Sequence, residues 1–255
     1  MEYIKATFKK RPNRFIAEVD IDGCEEIAYV PNTGRCKELL VPGTVVYLLP
    51  SNDSKRKTKF TLHFVENRGH LVSLYSQEAN QIVFDAIENG KIKELSGYSH
   101  IQREKTIHDS RIDIYLANFE EGCCGMVTPK NECYVEVKGV TLVVGTEARF
   151  PDAPTKRGSK HLRELIKLKK EGFRAVVFFL IQHPLGDSFR PNWDNDPEFS
   201  QTLKEAHENG VEILVYKTRN TLDGIYFESR PIEFNLSKPF WEIQLIRDGT
   251  KSSML

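Results

Sequence analysis

Two carboxylates and a lysine, spread over two short apolar stretches, have the residue types and spacing for phosphodiester hydrolysis. Tyr134-Val135-Glu136-Val137-Lys138 reads as a strand, and side chains alternate faces along a strand. Tyr134, Glu136 and Lys138 therefore share one face, with Val135 and Val137 on the other. Upstream, Ser110-Arg111-Ile112-Asp113-Ile114-Tyr115 reads as a strand able to pair with the first, with Asp113 alternating between Ile112 and Ile114. Charges beside core valines are costly unless paired or bound to metal. Two neighbouring carboxylates repel each other. A divalent cation relieves the repulsion, and hard Mg2+ or Mn2+ takes oxygen ligands while keeping positions for water and phosphate. Asp113 and Glu136 would be the metal ligands, and Lys138 would orient the attacking water or steady developing negative charge. The rival is a plain hairpin with a solvated salt bridge. A Glu-x-Lys tripeptide is common by chance, and on pattern alone that rival is the more frequent case.

Basic residues near these stretches could track a phosphate backbone. Ser159 to Gly172 reads as a helix, and Lys160, Arg163, Lys167 and Lys170 fall at spacings of three, four and three. They form a stripe opposite an apolar face of Leu162, Leu165 and Ile166. Lys156 and Arg157 precede it. A second cluster, Ser54 to Lys59, supplies Arg56, Lys57 and Lys59 from a loop, and Arg35 and Lys37 follow a Pro-Asn-Thr-Gly turn. Solvated basic surface is the alternative for each group. His161 could touch phosphate, although a lone helical histidine is more often structural. Asp152 and Thr155 suit turn or capping positions. Gln182, at the end of a buried run, could contact a phosphate or bond to backbone. Tyr29, Tyr47, Phe60 and Phe64 are core candidates before they are stacking platforms for bases.

The elements that must hold these residues fall into two blocks. The first third shows five short strand patterns, in Arg14–Ile21, Glu25–Asn32, Thr44–Ser51, Phe60–Asn67 and His70–Ser76, separated by turn residues. That suggests a small barrel of the oligonucleotide-binding (OB) type. From about Glu78 the pattern alternates. A helix ending at Gly90 is followed by the two strands above, the basic helix, the apolar run Arg174–Gln182, a helix ending at Gly210 and a strand from Val211. That order describes an α/β domain with a mixed sheet, α+β for the chain overall. The expected domains are 1–80, 81–236, and an extension over 237–255 of unknown role.

Composition narrows the class. The 36 basic and 36 acidic residues cancel, which counts mildly against a nucleic-acid binder, since local charge sets the field a ligand meets. No apolar run is long enough to span a bilayer, and the amino-terminal segment lacks the apolar core of a secretory signal. Five cysteines, with Cys123 and Cys124 adjacent and no Cys-x-x-Cys pair, argue against a disulfide framework or zinc knuckle. Reduced thiols in a cytoplasmic protein are expected.

Several strings together resemble the sugar fermentation stimulation protein A family. They are Tyr29-Val30-Pro31-Asn32-Thr33-Gly34-Arg35, Ser110-Arg111-Ile112-Asp113, Tyr134 to Lys138, and Phe150-Pro151-Asp152-Ala153-Pro154-Thr155 with Arg157-Gly158 and Lys160-His161-Leu162. The resemblance runs from about Arg14 to Pro231. It implies an N-terminal OB-type barrel followed by a restriction-endonuclease-like PD-(D/E)xK domain, DNA binding, and a link to sugar, notably maltose, metabolism. It carries the nuclease motif onto Asp113, Glu136 and Lys138. Nuclease analogy also suggests a helix acid before the strands, for which Glu104 is the candidate. Departures are Cys36, where methionine or an aliphatic is expected, a long loop between Leu116 and Cys133, and the tail after Leu236. The expected partner is DNA of unassigned strandedness, with no membrane and with a homodimer left open. Two functions follow: a Mg2+- or Mn2+-dependent deoxyribonuclease, or a non-catalytic DNA-binding regulator on a nuclease scaffold. The intact triad favours the first, and fold alone does not decide.

Overall fold

The computed structural model describes residues 2–51, 56–76, 78–121 and 127–238. Six strands open the chain: β1 (Ile4–Asn13), β2 (Ile16–Ile21), β3 (Cys24–Tyr29), β4 (Val45–Pro50), β5 (Phe60–Asn67) and β6 (His70–Ser73). Strands β1 to β3 form an antiparallel meander, β4 pairs with β1 and β5 with β4. A parallel contact of Ala28 and Tyr29 with Phe60 and Thr61 closes the five-stranded barrel, and β6 extends it from β5. Strand β1 is absent from the sequence reading. Its apolar residues Ile4, Ala6 and Phe8 alternate with Lys5, Thr7 and Lys9, so a lysine-rich segment still lines the core.

The remaining elements are α1 (Glu78–Glu88), β7 (His100–Ile107), β8 (Ser110–Glu121), β9 (Val127–Val140), β10 (Leu142–Val144), β11 (Glu147–Phe150), α2 (Lys156–Lys170), β12 (Arg174–Ile181), β13 (Ser188–Pro191), α3 (Pro197–Glu208), β14 (Glu212–Thr221), β15 (Gly224–Glu228) and β16 (Glu233–Phe234). A six-stranded sheet runs β15-β14-β12-β9-β8-β7. Its centre, β9, β12 and β14, is parallel and its flanks are antiparallel. Alternation along β12 divides the core: Ala175, Val177, Phe179 and Ile181 pack with α2 and α3 residues, whereas Val176, Phe178 and Leu180 pack with those of α1. This is why the run reads as continuously apolar. A smaller sheet, β10-β11-β13-β16, covers one end.

Helix α2 begins earlier than its apolar periodicity suggests. Thr155 is the N-cap, accepting from the Gly158 amide at 3.0 Å. Gly158 leaves room for that cap, since a Cβ there would lie 2.7 Å from Thr155 Cγ2. Thr155→Ala is expected to lower unfolding stability by about 1 kcal/mol, read from a urea midpoint.

Polar contacts join barrel to sheet. The Cys36 amide donates to Asp152 Oδ2 at 2.6 Å, and the Ser76 hydroxyl donates to the Pro31 carbonyl at 2.7 Å. The Asn220 amide donates to the carbonyls of Leu71 and Gln182. Cys36 itself is buried in the barrel core, where burial first, then Asp152, pushes its thiol up to about 12. It packs as a small apolar side chain.

Two expectations need correcting. Glu104 is not on a helix. It bulges from β7 at φ 56°, exposed and ion-paired with Arg111 at 3.3 Å. The segment between Leu116 and Cys133 is mostly not loop, because β8 and β9 continue as a ladder to the Glu121–Val127 pair. Cys123 and Cys124 lie outside the described residues, as do Ser54, Lys55 and the tail from 239.

Candidate active site

Glu136 and Lys138 project from β9 towards α2, as strand alternation requires. Glu136 is 2% exposed, and its Oε1 accepts from Lys138 Nζ and contacts His161 Nδ1. The other nitrogen, Nε2, accepts from Arg157 Nε at 3.3 Å. The bonded pattern gives His161 an Nδ1 proton that it donates to Glu136. Burial pushes the Glu136 carboxyl up, but Lys138 and His161 outweigh burial and hold it below the ordinary glutamate value. Its second oxygen, Oε2, is buried with no hydrogen-bond partner.

Asp113 stands one step along β8 from the Ile114–Val135 pair, where the β8–β9 ladder ends. Its carboxylate replaces the ladder: Oδ2 accepts from the Val137 amide at 2.8 Å and Oδ1 from Asn80 of α1 at 2.7 Å. Desolvation first, then the neighbouring charge of Glu136, raises its pKa to about 6, with Lys138 opposing. The structure therefore brings the three residues of the sequence motif together: Asp113 feels Glu136 and Lys138, and Glu136 feels Lys138 and His161. His161 and Asn80 are their anchors. Neither anchoring role could be read from the sequence, because each depends on a helix arriving from elsewhere in the chain.

This donor set fits a hard divalent cation. A buried carboxylate oxygen without a donor is expensive, and Mg2+-like ions take one or two carboxylates while retaining several waters. Among the described residues no group of three or more His, Cys, Asp or Glu is placed to hold a metal, so the protein oxygens on offer are those of two carboxylates. Gln182, fully buried at the end of β12, offers a further oxygen. Its Oε1 has no partner and lies 2.6 Å from where a Cβ on Gly139 would be.

The basic candidates are exposed but scattered in their pairing. Lys160 and Lys167 stand on the outer face of α2 with Arg163, whose guanidinium pairs with Glu198 at 2.8 Å. Arg157 contacts His161. On the barrel, Arg35 and Lys37 line a rim recess, and Arg56 lies 5.3 Å over the Tyr29 ring and donates to Thr61. Lys57 is exposed, and Lys59 pairs with Glu26. A cleft of about 460 Å3 lies where the barrel meets the sheet, lined by Lys138, Asn80 and Arg14 among others.

Residues 77–224 match the family model described as the sugar fermentation stimulation protein RE domain, and residues 10–74 match that of the SfsA N-terminal OB domain. A sugar fermentation stimulation protein homolog of Methanobrevibacter smithii is 69% identical over 93% of this chain and 100% of its own length. One from Caldanaerobacter subterraneus is 46% identical over 84% of this chain and 89% of its own. The solved structure of Pyrococcus furiosus SfsA in complex with Ca2+ matches with a TM-score of 0.80 and 31% identity, over 92% of this chain and 96% of that one.

Proposed function

The chain belongs to the sugar fermentation stimulation protein family, and from that premise we propose that it is a DNA-binding, divalent-metal-dependent nuclease. The observation that carries this reading is the paired arrangement of Asp113 and Glu136, with a buried, partnerless carboxylate oxygen beside Lys138. Asp113 and Glu136 would hold Mg2+ or Mn2+; the Ca2+ bound by the Pyrococcus furiosus relative is a cation of the same oxygen-seeking kind. When bound, the cation supplies Lewis-acid polarisation of a phosphate and a more acidic water.

The chain's own residues do the rest. Asn80 and the Val137 amide hold the Asp113 carboxylate, and His161 holds that of Glu136. Lys138 brings an ammonium group to the face where charge would build on phosphoryl oxygens. The barrel and the exposed face of α2 would carry the DNA. Free thiols at Cys24, Cys36 and Cys133 fit a reducing cytoplasm, and among the described residues no helix is long and apolar enough to cross a membrane.

The test is incubation of the purified protein with single- and double-stranded DNA in Mg2+, Mn2+ or chelator. Metal-dependent cleavage supports the reading. Tight, salt-sensitive binding without cleavage in any metal supports the non-catalytic regulator instead. Lys160 and Lys167 make no ion pair among the described residues, so their double alanine variant is the cleaner probe of the helix. It is expected to flatten the log–log salt dependence of DNA binding by roughly 2. An unchanged slope would remove α2 from the interface.

A further inference from the structure

The cleft beside Lys138 has an outward continuation. A recess of about 330 Å3 on the barrel rim shares Arg14, Thr33 and Gly34 with it and adds Arg35 and Lys37. The turn between them is held in shape from below. Arg11 donates to the carbonyls of Gly34, Arg35, Arg14 and Asn32, which spends its guanidinium on the loop. Gly34 lets that loop close on the second domain, since a Cβ there would lie 2.8 Å from Asp152 Oδ2. The Arg14 side chain takes no part in this network, although its carbonyl does. It makes no ion pair among the described residues and sits 4.6 Å over the ring of Phe15, which is itself 40% exposed.

A guanidinium stacked over an exposed aromatic ring, next to a basic rim, is the composition of a track for unpaired bases. The inner cleft has the size of a small-ligand site. Its volume is on the scale of one nucleotide rather than of a duplex. Its floor carries Lys138, and its walls carry the hydroxyl of Thr141, which has only a 4.0 Å contact to Cys36 Sγ, and the carboxylate of Asp152. A polar wall of donors and an acceptor suits the edge of a base, while Lys138 suits the adjoining phosphate.

We propose that this cleft takes a single unpaired nucleotide, delivered by a strand that enters across Phe15 and Arg14 on the barrel rim. The substrate class is then single-stranded DNA or the unpaired tail of a duplex. This deepens the nuclease reading and rests on its nucleic-acid half.

The experiment measures binding separately from cleavage. Fluorescence anisotropy in chelator and in Ca2+ compares one labelled strand, its blunt duplex, and the duplex with an unpaired tail. Strand and tailed duplex are expected to bind at least about ten-fold more tightly than the blunt duplex. Phe15→Ala is expected to weaken strand binding by about ten-fold, the effect of losing one stacking face, and to leave blunt-duplex binding unchanged. Arg14→Ala should act in the same direction. Both side chains are exposed, so folding is not at stake. Blunt duplex bound as tightly as the strand, or strand affinity indifferent to Phe15, overturns the proposal. Parallel cleavage assays in Mn2+ separate the two ideas. Glu136-dependent cutting of blunt duplex at the single-strand rate keeps the nuclease and sinks the single-nucleotide cleft. Strand-selective binding with no cutting in any metal does the reverse. No binding to any of the three molecules overturns both.

Discussion

Glu136→Gln is expected to lower metal-dependent DNA cleavage by at least about 10^2 to 10^3-fold, the effect of losing one preorganised charge-stabilising group. The amide keeps the size of the side chain and one oxygen able to accept from Lys138 or His161. It removes the charge that offsets Lys138 and the partnerless oxygen that a cation would satisfy. Some stability is lost as well, because Lys138 is only 13% exposed and loses its counter-charge. Circular dichroism separates unfolding from loss of function, and DNA binding in chelator should survive. Cleavage by the variant at the wild-type rate would show that this carboxylate takes no part in the chemistry. His161→Ala makes a milder companion: Glu136 retains its charge but loses a positioning donor, so the metal concentration for half-maximal cleavage should rise more than the saturated rate falls.

What the sequence exposes is the local part of this design. The alternation of Tyr134 to Lys138 with two valines places Glu136 and Lys138 on one face, as observed, and the apolar run of β12 announces a strand covered on both sides. Gly90, Gly172 and Gly210 end helices in positive-φ conformations, as their positions suggest. Misses occur where local pattern is weak or where contacts are long-range. Strand β1 carries four basic residues in ten and hides its apolar half. Strand β7 has a bulge at Glu104, which breaks its period, and the expectation of a helix acid there comes from nuclease analogy and not from any local pattern. His161 carries no distinguishing mark among its lysine neighbours until α2 lies over β9. Asp152 looks like a turn residue because its partner, the Cys36 amide, is 116 positions away. Packing of separate segments decides the last two, and no window of neighbouring residues contains that information.

Asp113→Asn is expected to have opposite effects on stability and on metal binding, and that opposition is the sharper test of the site. An aspartate titrating near 3.8 when unfolded and near 6 in the folded protein is destabilised by its own ionisation. Between those values the folded state binds more protons than the unfolded state, so stability falls as pH rises through that window, and the penalty is complete above about pH 6. The shift corresponds to about 3 kcal/mol at most. Without metal, Asp113→Asn should remove this penalty, raising the melting temperature at pH 7 by up to roughly 10 °C and flattening its pH dependence from about 4 to 6. The new amide can still accept from the Val137 amide, and Asn80 can reverse its own amide to match. Added Mn2+ should then stabilise the wild type, with an affinity that weakens below pH 6 as Asp113 takes up its proton, and should leave the variant unmoved. A metal-free variant that melts below the wild type at pH 7 would mean that Asp113 serves the fold. A variant still stabilised by Mn2+ would mean that the cation, if bound at all, is held elsewhere.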